Sequence, residues 1–129
     1  MPFLFQEDKL KLTLEHDVLL ALTDAIKEVA DNLDINIEYR YEYYATKSSY
    51  TEIAMLRDLH WLHHQFIRKL ETSYLNNRRK VSISLPISYI YLLHKQVIHN
   101  FNNHYLQQAI DQIDKLIKSY KFSDRLDLR

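Results

Sequence analysis

Lys9-Leu10-Lys11-Leu12-Thr13-Leu14 and Lys80-Val81-Ser82-Ile83-Ser84-Leu85 are the two stretches on which the fold turns. Both alternate polar and apolar residues strictly. In an extended strand successive side chains point to opposite faces, so Leu10, Leu12 and Leu14 share one face, as do Val81, Ile83 and Leu85. The stretches lie 71 residues apart, and the correspondence runs on beyond them. Val18, Ala21 and Leu22 align with Tyr89, Leu92 and Leu93 at the same offset. Thr13 and Ser84 also align, and each is of a type that N-caps a helix. Pro86 is expected within the first turn of the second helix, where its missing N–H is tolerated.

The pattern is a weak strand–helix repeat covering 9–33 and 80–104. Its two short strands can pair within one chain. They can also pair across a two-fold axis with a second copy, because an exposed two-stranded edge invites augmentation. The fold class expected is mainly α, about four helices in a bundle-like arrangement, with a small two-stranded β element. An all-α bundle with both alternating segments merely extended is the alternative. One helical domain over 1–120 and a polar tail over 121–129 that frays complete the reading. No linker-like stretch divides the chain.

Between and beyond the alternating stretches the apolar spacing is helical. Helix one is expected over Glu15–Asn32, with Leu19, Leu22, Ile26, Val29 and Leu33 as its stripe and Asp31-Asn32-Leu33-Asp34 as its end. Residues 35–44 satisfy both periods: Ile35, Ile37, Tyr39, Tyr41 and Tyr43 alternate, yet Ile35, Tyr39 and Tyr43 also line a helix face. The helical flanks tip the balance to helix. Ser49-Tyr50-Thr51-Glu52 fits a capping box that opens a helix to Leu75, striped by Ile53, Leu56, Leu59, His63, Phe66, Leu70 and Tyr74. Asn76-Asn77-Arg78-Arg79 reads as a loop. Ile90, Leu93, Val97 and Phe101 continue the second repeat as a helix that Asn100-Phe101-Asn102-Asn103 weakens. Leu106, Ala109, Ile110, Ile113, Leu116, Ile117 and Tyr120 then give a clean amphipathic helix.

Composition narrows the chemistry. In 129 residues there is no glycine and no cysteine. The first absence removes Gly-rich phosphate loops, dinucleotide fingerprints and Gly-x-Ser-x-Gly nucleophile elbows, and leaves Asn, Asp and Ser to form the turns. The second removes disulfides, thiolate metal ligands and cysteine nucleophiles, and fits a cytoplasmic protein. Neither a signal peptide nor a membrane span is legible. Net charge is zero, but residues 1–64 hold six Lys/Arg against twelve Asp/Glu and residues 65–129 hold eleven against five. This asymmetry suits packing of the two halves on each other or on a second copy, or a basic face for an anionic partner.

Three sets of residues could carry function. His60 and His64, four apart on a helix, could share a metal, but two ligands do not complete a site. His63 falls on the core stripe as a hydrogen-bonded interior residue. His94, His99 and His104 are spaced by five and diverge on one helix. Tyr39, Tyr41, Tyr43, Tyr44 and Tyr50 belong to an unusual excess of ten tyrosines over five phenylalanines; an apolar ring with a hydroxyl suits a subunit interface. Arg78, Arg79 and Lys80, with Arg68, Lys69, Lys95, Lys115 and Lys118, could form an anion or nucleic-acid surface. Asp58 and Glu52 read as solvated helix-face charges. Nothing forms a catalytic signature, and no cofactor is implied. The leading expectation is a non-catalytic interaction or regulatory protein, self-associating as a homo-oligomer. A nucleic-acid-associated accessory protein and a His-based metal-dependent enzyme are the alternatives.

Overall fold

The computed structural model describes residues 8–44, 50–77, 79–98 and 104–127, with side chains to 42 in the first stretch and to 120 in the last. Strand β1 (Lys9–Glu15) leads directly into helix α1 (His16–Tyr44), and α2 (Tyr50–Leu75) follows. Strand β2 (Lys80–Pro86) leads into α3 (Ile87–Leu92), which passes into a π-helical turn (Leu93–Val97) before α4 (His104–Asp127). The protein is mainly helical, with a two-stranded antiparallel sheet of β1 and β2.

The two strands pair within the one chain. Leu12 faces Ile83 at the centre, Leu10 faces Leu85, and Leu14 faces Val81. Leu12 and Ile83 are also equivalents in the 71-residue repeat, so the ribbon has a local two-fold axis through this pair. The backbone bonds that close its ends obey the same axis. His16 N–H donates to Arg79 C=O at 3.1 Å, and Ile87 N–H donates to Asp8 C=O at 2.9 Å; His16 and Ile87 are repeat partners, as are Asp8 and Arg79.

The helices follow the same symmetry. Leu19, Leu22 and Ile26 of α1 are fully buried, and so are Ile90, Leu93 and Val97 at the same offset. In the second helix of each unit the buried positions Leu59, Leu62, Phe66 and Leu70 match Leu106, Ala109, Ile113 and Ile117, now at an offset of 47. The first unit is therefore longer by 24 residues. Much of the extra length lies in the far ends of α1, over 33–44, and of α2, over 50–57, which form a helical arm. The helices of this arm are antiparallel: Arg40 meets Glu52 near one end, and His16 meets Ser73 and Tyr74 at the other.

All helices lie behind one face of the ribbon. Leu12, Leu14, Val81, Ile83 and Leu85 form the floor of a single core roofed by the four helices. Burial of these side chains is the main stabilising term, at roughly 1.5–3 kcal/mol for each large one. The wider π turn lets Leu93, Val97 and Ile98 all point inward, and Ile98 N–H donates to Leu93 C=O across it. Asn77 adopts φ 51° at the end of α2. Without glycine, asparagine is the residue best able to hold this left-handed C-terminal position.

Several local expectations are corrected. Helix α1 does not end at Asp31–Asp34 but continues to Tyr44. No Gly or Pro interrupts it, Lys27 pairs with Asp31 at 3.1 Å, and Leu33 packs against the core; tertiary packing outweighs four residues of modest propensity. Thr13 and Ser84 are not caps, because each strand runs past them and the helices start at His16 and Ile87. Pro86 ends β2 and occupies the N-cap position rather than the first turn. The α2 stripe runs through Leu59, Leu62, Phe66, Leu70 and Ser73, while Ile53 and Tyr74 are exposed. Ile53 lies on the arm, beyond the reach of the core. Helix α4 extends to Asp127, through the segment expected to fray. Ser49 of the capping box lies outside the described residues, as do Phe101 and the Asn-rich stretch around it.

Candidate nucleic-acid interface

Alternation that buries the leucines turns every intervening residue of the ribbon outward. On β1 these are Lys9, Lys11, Thr13 and Glu15, all exposed; on β2 they are Lys80 and Ser84, exposed, and Ser82, half-buried. Among the described residues no helix covers this face, because the core occupies the other. The repeat relates the two rows: Lys9, Lys11 and Thr13 correspond to Lys80, Ser82 and Ser84. The Thr13 and Ser82 hydroxyls meet across the strands at 3.0 Å. They face each other at a non-hydrogen-bonded pair, where opposing side chains come closest. Lys11 stands opposite Ser84, and Glu15 opposite Lys80. With exposed Arg79 just before β2, the face and its margin hold, among the described residues, four cations, Lys9, Lys11, Arg79 and Lys80, against the carboxylates of Asp8 and Glu15.

The ribbon is held rigidly. The outer edge of β1 would present the N–H and C=O of Thr13 to solvent. Instead the Gln112 side chain of α4 accepts from Thr13 N–H at 2.6 Å and donates to Thr13 C=O at 2.7 Å. This amide acts as a one-residue third strand and blunts the edge against further pairing. Gln65 occupies the corresponding position on α2. At the end of β1, His16 Nδ1 lies 2.9 Å from Ser73 Oγ, and its ring meets Tyr74 edge-on at 4.5 Å. His16, Gln112, Lys9 and Lys11 were not among the expected site residues. Lys9 and Lys11 sit in the acidic half of the sequence, but the strict alternation already places them opposite the buried leucines.

The expected sites distribute as follows. Lys80 lies on the ribbon face and Arg79 at its margin, while Arg78 lies outside the described residues. Arg68, Lys69, Lys95, Lys115 and Lys118 are exposed on the helical elements rather than on the strands. His60 and His64 are both exposed on α2, and among the described residues no group of three or more His, Cys, Asp or Glu is placed to hold a metal. His94 lies 2.8 Å from Asp114, and His104 packs edge-on against Tyr105; His99 is outside the described residues. Glu52 and Asp58 are not merely solvated. Arg40 donates to both carboxylate oxygens of Glu52, tying the arm together, and Asp58 accepts from the Tyr89 hydroxyl at 3.3 Å. Tyr39, Tyr41 and Tyr50 are exposed on the arm, and the side chains of Tyr43 and Tyr44 are outside the described set.

His63 is half-buried between the helices rather than interior. Desolvation, reinforced by the charge of Lys27, pushes its pKa below the usual histidine value, although Asp31 and Asp24 act in the opposite direction. A histidine that prefers to be neutral in the fold contributes stability above its unfolded pKa and loses it as pH falls below that value. We therefore expect the thermal midpoint to fall between neutral pH and about pH 5.5, around the unperturbed histidine pKa near 6.5. In His63→Gln the fall is shallower, and parallel melting curves of the two proteins across this range check it.

Comparison with family models, with curated proteins and with solved structures gives no match. Among the described residues no helix is long and apolar enough to cross a membrane.

Proposed function

We propose that the protein binds double-stranded DNA through the outward face of the β1–β2 ribbon, as a non-catalytic regulatory or accessory protein. The observation that carries this reading is the two-fold arrangement of Lys9, Lys11 and Thr13 on β1 and Lys80, Ser82 and Ser84 on β2, on a face that no helix covers among the described residues. The B-form major groove, about 12 Å wide, admits a two-stranded ribbon, and duplex sites have the same two-fold symmetry. Lysines neutralise phosphates or reach guanine edges, while Ser and Thr hydroxyls serve as donor or acceptor to either base pair. The Gln112 clamp supports the reading, since a rigid ribbon enters a groove without losing freedom at that moment. A net charge of zero does not oppose it, because the field that matters is the local one.

Anisotropy titration of a labelled mixed-sequence DNA duplex tests the proposal. With three or four phosphate contacts, affinity should fall on the order of 50-fold between about 50 and 200 mM salt. An RNA duplex, whose deep narrow major groove excludes a ribbon, should bind more weakly. Absence of DNA binding at the lower salt, or binding indifferent to salt, overturns the reading.

A second reading, self-association, is supported by the arm. Ile35, Tyr39, Tyr41, Tyr50 and Ile53 are all exposed there, and the arm carries Asp34, Glu38 and Glu42. The partner would be a second copy, whose basic half complements these acids. Sedimentation velocity at rising protein concentration distinguishes monomer from dimer, and a strict monomer removes this reading.

A further inference from the structure

We propose that the groove between α2 and α3 binds a flat aromatic molecule carrying an anionic group. The groove has a volume of about 540 Å³, within the range of small-molecule sites. The repeat supplies a twin for comparison, a groove of about 410 Å³ between α1 and α4. On the side of α3 and the π turn the first groove is lined by Ser88, Tyr89, Tyr91, Leu92, Lys95 and Gln96. At the 71-residue offset all of these but Tyr89 become residues that line the twin, Asp17, Leu20, Ala21, Asp24 and Ala25. The scaffold thus builds the same concavity twice, and the difference lies in its chemistry.

The twin is acidic, with Asp17, Asp24 and Glu28 along it. The α2–α3 groove replaces Asp24 by a lysine and Leu20 by a tyrosine, and adds Tyr50 and Met55 from α2. Its wall is fixed: the Tyr89 ring stacks on Trp61 at 4.7 Å with the planes 24° apart, and its hydroxyl donates to Asp58 at 3.3 Å. Aromatic rings and a thioether present flat, polarisable surfaces to a planar ligand. Lys95, exposed on the next turn, attracts an anionic substituent, and the Asp58 carboxylate on α2 repels it. The ligand is therefore oriented with its anion toward Lys95 on the π turn and its ring against Tyr50 and Met55.

Trp61 is the only tryptophan, so its emission reports on the Tyr89 wall. The test titrates 1-anilinonaphthalene-8-sulfonate, a flat aromatic anion, against the intact protein and follows Trp61 quenching, with uncharged N-phenyl-1-naphthylamine as comparator. The expected result is one saturable site that favours the anionic probe at least tenfold. Two variants install residues that the fold already carries at the equivalent twin positions: Lys95→Asp should erase the preference for the anion, and Tyr91→Leu should weaken both probes several-fold. Circular dichroism melting verifies that each remains folded. Asp24→Asn in the twin groove should leave the Trp61 response unchanged. Equal binding of the two probes, an unresponsive Trp61, or a Lys95→Asp protein that keeps the preference overturns the proposal.

Discussion

Replacing Lys9, Lys11 and Lys80 together by Glu should abolish duplex DNA binding, lowering affinity by at least about 100-fold at low salt. All three side chains are exposed on the outward face of the ribbon, so their loss removes no core packing. Reversal does more than delete three attractions, because each new carboxylate faces phosphate. The fold should tolerate the change within about 1 kcal/mol, the range for exposed positions and cross-strand pairs. The one structural cost is at position 80, where a carboxylate would stand opposite Glu15; Lys80→Gln avoids it while still removing the cation. Single Lys→Ala variants should each reduce the slope of log affinity against log salt by about 1. Lys69→Glu and Lys115→Glu, exposed on α2 and α4, are the controls and should change binding little. A triple variant that binds like the parent would sink the ribbon reading and return attention to the arm.

Phe66→Ala should be the most damaging single core substitution, costing about 3–5 kcal/mol. Phe66 is fully buried and heads the largest buried side chains. It lies midway along α2, where its ring cannot be replaced by solvent or by movement of a loop. Against a total stability of about 5–15 kcal/mol for a domain, this loss takes the protein toward the unfolding threshold. Urea unfolding followed by circular dichroism should show a large drop in midpoint, with a slope that stays constant if the denatured state is unaffected. Tyr41→Ala is the contrast. Tyr41 is exposed on the arm, and its removal should change stability by no more than about 0.5 kcal/mol. It would nevertheless weaken self-association if the arm is an interface.

Much of this architecture was legible in the chain. The strict alternation at 9–14 and 80–85 named both strands and the inward set Leu12, Leu14, Val81, Ile83 and Leu85, because a period of two admits only one division of faces. The same alternation leaves Lys9 and Lys11 on the opposite face, although they were not among the expected site residues. The helix of residues 104–120 was equally plain, since Leu106, Ala109, Ile113 and Ile117 repeat at the helical period and are buried as expected. Where the pattern was ambiguous, the deciding forces were non-local. Residues 31–44 offered a helix end and a strand-like alternation at once, and the long α1 prevailed because Leu33 packs on the core and Arg40 grips Glu52 from α2. Position in sequence gives no account of either partner.

The sequence by itself determined the strands, their buried faces, most of the helices and the absence of glycine- and cysteine-based chemistry. Only the tertiary structure decided that β1 pairs with β2 of the same chain, about an axis through Leu12 and Ile83. Pairing is set by how two distant strands share one core, which no local period encodes. The fold also placed Lys9 and Lys11 of the acidic half on the same outward face as Lys80 of the basic half, Lys9 near one end of the ribbon and Lys80 at the other. A charge split that looked like two opposed halves becomes one ribbon carrying lysines from both, because antiparallel pairing lays segments 71 residues apart side by side.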